Sequence, residues 1–341
     1  MDKLILFVAS LITNGMIVYC GSYIFKNYSY SGVQSLHQGT VLRLGGISIY
    51  LVLLLSIYFS SPMTHDFIKN ISFSLLPLFL ISIREDLKHD VKPHYRLLVA
   101  GLSACMAIYF FGTIQNIDLP FLPFIFQSPI FLFILTIIAF AAMTHGFNMI
   151  DGLNGLAVLT YWAILTSIYV MSSQIADQTF QELIWLGLSL PLGFFVFNYP
   201  FGKIFLGDTG AYLLGFLSSA LIIYFFNAYP QLLSWQAILI LIYPVTEVIY
   251  TFVRRLGAGL SPLEADNKHL HTFLYQFLTQ KIISKKYANN LATCCMCPFL
   301  IFGPIANLVL PMNPISIFMA IVFYIFLYIG SYKYLATKVT Q

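Results

Sequence analysis

Pro200-Phe-Gly-Lys-Ile-Phe-Leu-Gly-Asp-Thr-Gly-Ala-Tyr-Leu-Leu-Gly215 is the stretch on which the fold turns. It holds one carboxylate, Asp208, in a glycine-framed turn between two apolar runs, with the cation of Lys203 five residues before it. Gly207 and Gly210 let the backbone turn tightly and approach a ligand without Cβ clashes. The apolar run 211–226 is long enough to begin a membrane helix. Asp208 then stands at a helix N-terminus at the membrane surface. Backbone N–H groups there favour phosphate, and a carboxylate can hold the Mg²⁺ that accompanies it. On this stretch alone, an aspartate that merely caps a helix is an equal rival.

Composition sets the class. The chain has 341 residues, 59% hydrophobic and 9% charged, against about 25% charged in soluble domains. Apolar runs recur along its whole length, which predicts an all-α, polytopic integral membrane protein with one domain over 1–341. No nucleic-acid partner is expected. The first run, Leu4 to Ile24, reads as a retained helix rather than a cleaved signal. Cys294-Cys295-Met-Cys297 lies inside an apolar run without a partner cluster, so it reads as small apolar packing rather than a metal site.

Eleven apolar runs can be traced, near 3–25, 46–61, 69–83, 96–112, 129–144, 156–173, 182–197, 209–227, 235–253, 289–310 and 314–334. Eleven crossings put alternate connections on opposite sides. All but Lys3 and Lys69 of the seventeen basic residues then fall on one face. The positive-inside rule makes that face cytoplasmic, with the N-terminus periplasmic and the C-terminus cytoplasmic. Connections on the other face, such as Asn116–Pro123, read as linkers. Glu247 lies in an apolar run just after Tyr243-Pro244. An acid at that depth is a functional candidate, or a partner for backbone freed by the proline.

Four polar constellations share the basic face. Arg43-Leu-Gly-Gly46 opens a helix, and alone it reads as helix packing plus one face-selecting arginine. Arg84-Glu-Asp-Leu-Lys-His-Asp-Val-Lys-Pro-His-Tyr95, followed by Arg96, is the densest charge run. Glu85 and Asp86 could bind metal or act on a phosphate, while Lys88, Lys92 and Arg96 could hold phosphate oxygens. In His145-Gly-Phe-Asn-Met-Ile-Asp-Gly-Leu-Asn-Gly155, Asn148 and Asp151 are three apart and share a face of a helical turn. Oxygen ligands beside a glycine turn suit Mg²⁺ and a nucleotide phosphate. Lys268-His-Leu-His271 is a compact cationic cluster suited to a diphosphate. A His-x-His zinc site ranks below it for want of a nearby third ligand. Carboxylates, cations and glycines at helix ends on one face describe a phosphoryl-transfer site at a membrane surface.

These residues resemble the polyprenyl-phosphate N-acetylhexosamine-1-phosphate transferases of glycosyltransferase family 4 type, which include bacterial undecaprenyl-phosphate GlcNAc-1-phosphate transferases. Asn148-Met-Ile-Asp-Gly-Leu-Asn-Gly-Leu156 and Phe205-Leu-Gly-Asp-Thr-Gly210 match that family's motifs, His269-Leu-His271 its His-x-His signature, and Glu85-Asp86 its Asp-Asp pair. Glu85 replaces the first Asp of that pair, His145 stands where many members have Asn, and Asn267 and Thr272 also depart from the pattern.

The resemblance implies that undecaprenyl phosphate attacks a UDP-N-acetylhexosamine and UMP leaves. Mg²⁺, or Mn²⁺ in its place, would be held by Asn148 and Asp208. Phe205 would stack on uracil, with Gly152, Leu153, Asn154 and Asn198 near the nucleotide. Lys268, His269 and His271 would hold the diphosphate and sugar, with Arg43 and Lys203 among the substrate-binding candidates. Glu85 and Asp86 would position or deprotonate the lipid phosphate. With Asp151, His269 and His271 they form the candidate catalytic set. A bacterial inner-membrane location, a cytoplasmic active site, an early step of O-antigen or related polysaccharide synthesis, and a homodimer are compatible with this reading. A polar-lipid transporter or flippase is the rival class, but it calls for charges deep within the helices, and here they gather at one face.

Overall fold

The computed structural model describes residues 2–24, 41–115, 117–118, 128–262, 264, 266–281, 284–310 and 313–340. Lys26, part of the sidedness pattern, and much of the linker 116–123 lie outside them. Among the described residues all regular structure is helical. The chain runs through α1 (Asp2–Ile24), α2 (Gly45–Phe59), α3 (Pro62–Lys88), α4 (Pro93–Phe111) and α5 (Pro129–Ile150). It continues through α6 (Leu156–Gln174), α7 (Gln178–Ser189), α8 (Leu192–Asn198), α9 (Gly207–Ala228) and α10 (Ser234–Ile240). It ends with α11 (Ile242–Gly257), α12 (Leu270–Lys281), α13 (Lys285–Val309) and α14 (Pro314–Thr340).

Each of the eleven apolar runs lies on helix. A helix satisfies its own backbone, which lipid requires. Eight helices among the described residues are long and apolar enough to cross a membrane, counting α7 with α8 as one, and the bent pair α10–α11 makes a ninth candidate. The apolar parts of α1 and α2, Leu4–Tyr19 and Gly45–Phe59, are shorter. Large apolar side chains such as Tyr58, Leu98, Tyr109, Ile130 and Phe326 point outward, as a lipid-facing surface allows.

Prolines write the local punctuation. Pro62, Pro93 and Pro129 open α3, α4 and α5, where the missing N–H is no loss. Pro244 lacks an N–H and its ring would clash with the carbonyl of Ile240. The run 235–253 therefore breaks at Leu241, and its two halves bend by 80°. Pro191 divides α7 from α8 in the same way. The sequence pattern did not announce α12, which fills part of the loop before α13.

α9 is the central pillar. It packs against α2, α3, α4, α5 and α6 and is buried along nearly its whole length. Gly46 makes the α2 approach possible: a Cβ there would lie 2.2 Å from the backbone nitrogen of Gly210. Close packing of this kind holds membrane helices together where lipid offers no hydrophobic drive. Cys294 and Cys295 are exposed on α13 instead of packed inside, and Cys294 Sγ meets the Tyr199 hydroxyl at 3.2 Å.

Candidate active site

The start of α9 is built by partners far away in sequence. Residues 42–46 lie along 205–206: Phe205 N donates to Leu42 O, Gly45 N to Phe205 O and Gly46 N to Leu206 O. Gly207 has φ +73, and a Cβ there would fall 2.5 Å from Arg43 O and 2.6 Å from Asp86 Oδ2. Only glycine fits. Asp86, at the end of α3, then caps α9. Its Oδ1 accepts Asp208 N at 2.8 Å, and its Oδ2 accepts Thr209 N at 2.9 Å and Thr209 Oγ1 at 2.6 Å. These amides are orphan donors of the first turn, and a carboxylate suits them.

Asp208 is thereby released from capping. Arg43 Nη2 reaches its Oδ1 at 3.0 Å and Arg96 Nη1 its Oδ2 at 2.5 Å. Arg43 also lies 4.0 Å from Asp86, and Arg96 3.8 Å from Glu85. Glu85 Oε2 accepts Val91 N at 2.9 Å, just past the end of α3. The guanidinium of Arg43 loses from burial but gains more from Asp208, Asp86, Asp151 and Glu85, so it is held more firmly protonated than usual. Burial raises the Asp151 carboxyl well above the usual range; Arg43 opposes this, while Asp208 and Asp86 add to it. Four carboxylates thus face two guanidiniums.

The 151–155 turn between α5 and α6 is clamped from two sides. Asn154 N donates to Asn289 Oδ1 at 3.0 Å, and Thr293 Oγ1 donates to Asn154 O at 2.8 Å, both partners on α13. Gly155 N donates to Asn198 Oδ1 at 2.6 Å, while Asn198 Nδ2 donates to Ile204 O at 2.8 Å. Asn198 therefore spends both ends of its amide on backbone. Leu153 and Asn154 are buried, and Asn148 lies half-buried one turn before Asp151.

His269 and His271 bring the fourth constellation to that turn. Their rings lie parallel within 2° with centroids 5.5 Å apart. His271 Nε2 occupies the space where a Cβ on Gly152 would sit, 2.3 Å away. His271 Nδ1 is buried without a hydrogen-bond partner. Burial, and then the neighbouring His269, lowers the His271 imidazole to about 3, so it is neutral near pH 7. This corrects the expectation of a wholly cationic cluster: Lys268 is exposed, but His271 carries no charge. Glu247 is fully buried on α11, yet it does not bind freed backbone. Its Oε1 meets His269 Nδ1 at 2.9 Å, and its Oε2 accepts the Tyr328 hydroxyl at 2.7 Å. Arg254 pairs with Asp266 to hold the loop before α12. Phe205, half-buried, and Lys203, exposed with its ammonium 5.6 Å from the Phe201 ring, stand on the loop into α9.

The family described as glycosyl transferase family 4 matches residues 69–226. The chain is 32% identical over 241 residues to an undecaprenyl-phosphate alpha-N-acetylglucosaminyl 1-phosphate transferase of Thermotoga maritima, a match covering 69% of this chain and 68% of that one. The chain belongs to glycosyl transferase family 4. A probable undecaprenyl-phosphate N-acetylglucosaminyl 1-phosphate transferase of Bacillus subtilis is 26% identical over 246 residues, covering 72% of this chain and 68% of that one. A decaprenyl-phosphate N-acetylglucosaminephosphotransferase of Mycobacterium leprae is 24% identical over 280 residues, covering 73% and 70%.

The family-4 match includes Glu85, Asp86, Asn148, Asp151 and Asp208, whereas Arg43 and the Lys268–His271 segment lie outside it. The candidate site also includes residues that pattern reading did not single out. Asn289 and Thr293 gave no local signal, being ordinary polar residues in an apolar run. No group of three or more His, Cys, Asp or Glu among the described residues could hold a metal by itself. The carboxylate and amide oxygens of Asp208 and Asn148 are donors of the type Mg²⁺ takes alongside waters and substrate phosphate oxygens. The surplus of carboxylates over guanidiniums, and the raised Asp151, fit a divalent cation as well.

Proposed function

We propose that the chain transfers an N-acetylhexosamine 1-phosphate from a UDP-sugar to undecaprenyl phosphate. An oxygen of the lipid phosphate forms a bond to the β-phosphorus, the bond from that phosphorus to the UMP oxygen breaks, and UMP leaves with the electron pair. A polyprenyl-diphosphate sugar stays in the membrane of a bacterial inner envelope, as the first lipid-linked unit of O-antigen or a related polysaccharide. The eleven runs would cross the bilayer with the basic face in the cytoplasm. The names of the relatives support a polyprenyl-phosphate acceptor and N-acetylglucosamine 1-phosphate as the transferred group.

The observation that carries the reading is Asp208 held between Arg43 and Arg96 at the start of α9. Guanidiniums suit phosphoryl oxygens. Asp208 and Asn148 would hold Mg²⁺, which when bound neutralises diphosphate charge and draws electrons from the phosphorus. Phe205 would stack on uracil, and the 152–154 backbone would approach the nucleotide. Lys268 and His269 would meet the diphosphate. Asp86 serves by fixing Asp208, and Glu85 with Arg96 would position the lipid phosphate. A phosphate monoester has its second pKa near about 6, so positioning outweighs deprotonation.

The test is purified protein incubated with undecaprenyl phosphate and a panel of UDP-N-acetylhexosamines. UMP should appear together with one polyprenyl-diphosphate sugar. A lipid product with no UMP, or no product with any UDP-sugar, would overturn the proposal.

A further inference from the structure

Glu247 belongs to none of the motifs that mark the site, and it sits in a place where a carboxylate is costly. A buried charge must be paired and hydrogen-bonded to persist. Both of its oxygens are engaged by side chains from other elements, His269 at 2.9 Å and Tyr328 at 2.7 Å. It thus ties α11 to α14 and to the residue that leads into α12.

We propose that Glu247 is a positioning residue for the transfer reaction, acting through His269. The proposal rests on the transferase reading above. Glu247 takes His269 Nδ1, which fixes the ring and leaves Nε2 as the ring nitrogen for a phosphate oxygen. Which nitrogen of a histidine serves a ligand is set by the bond the other one makes. The orientation is relayed further: the His269 ring lies parallel to that of His271, and His271 rests on Gly152 in the turn that carries Asp151. Glu247 therefore helps align two of the four constellations without touching substrate. Tyr328 holds the second oxygen so that the carboxylate keeps one rotamer.

The test is a double-mutant cycle on the full-length protein, with Glu247→Gln, His269→Ala and the double variant, read as kcat and KM for UMP release. Glu247→Gln should lower kcat by about tenfold to a hundredfold, the usual scale for a partner that orients a ligating histidine, with KM nearly unchanged. In the His269→Ala background the same substitution should cost nothing. Equal losses in both backgrounds would show a general structural role and overturn the proposal, as would wild-type kcat in Glu247→Gln. Tyr328→Phe, which removes one hydrogen bond only, should lower kcat in the same direction and be silent in the same background; additive losses would again overturn it. A substrate-free readout separates this idea from the transferase reading. A downfield imidazole N–H proton resonance should be present in the wild type, move upfield in Glu247→Gln and vanish in His269→Ala. Its absence from the wild type would refute the Glu247–His269 pairing even if UMP release is confirmed.

Discussion

The Asp86 carboxylate accepts the backbone N–H of Asp208 at 2.8 Å. One aspartate holds the helix start, and the other is left to face two arginines. The capping role that Asp208 could have filled belongs to Asp86.

Asp208→Asn should therefore remove charge without removing a cap. Turnover should collapse, since electrostatic and metal stabilisation of a phosphoryl group is worth several kcal/mol. The protein should still insert and run as a folded species. UMP release measured across a Mg²⁺ titration checks this, and wild-type turnover with the same Mg²⁺ dependence would refute it.

Asp86→Ala should weaken the fold itself. Three hydrogen bonds are lost and the first turn of α9 is left uncapped, for a cost of about 3 kcal/mol. Asp86→Asn should recover part of that, because Oδ1 can still accept while Nδ2 cannot. Thermal melts in detergent should rank wild type above Asn above Ala.

Gly152→Ala puts a methyl group where His271 Nε2 now lies. The obstacle is a side chain, so the ring moves and the fold survives. We expect a clear fall in kcat and a small change in Tm. A fall in Tm with intact kcat in the folded fraction would show that the contact is only packing.

Phe205→Ala should raise KM for the UDP-sugar, since base–aromatic stacking contributes about 1–3 kcal/mol. An unchanged KM in a well-folded variant would return Phe205 to a packing role.

Asp151 gives a pH signature. Its carboxyl is raised in the fold by burial, so ionising it costs stability. That cost is absent at pH values below the ordinary carboxyl pKa of about 3.9 and grows as pH rises towards and through the folded value. Asp151→Asn should thus be more stable than wild type at pH 8, and the gap should narrow towards pH 5, in melts run with a chelator. A constant gap across that range would contradict the assignment.

Much of this was legible from residue order because membrane helices announce themselves by composition. Each apolar run became helix, and the glycine-acid motifs did mark one shared neighbourhood. What stayed hidden was pairing over long sequence distances. Asn289 meets Asn154 across 135 residues, and neither carries a local sign of it. Glu247 did carry one, being an acid at depth, but the choice of His269 and Tyr328 over backbone depended on the 80° bend and on α14. The bend was foreshadowed by Pro244, though not its angle. The length of α12 was masked by the charged loop around it.

The clamp from α13 on the 151–155 turn has a consequence for biogenesis. A nascent chain threading into the bilayer lays down Asp208 and its arginines well before Asn289 and Thr293 leave the ribosome. Until α13 arrives, the turn lacks the hydrogen bonds that Asn289 and Thr293 make to Asn154. Insertion of most of the protein must therefore precede completion of the turn, and a half-made chain carries Asp208 and its arginines without the finished turn beside them.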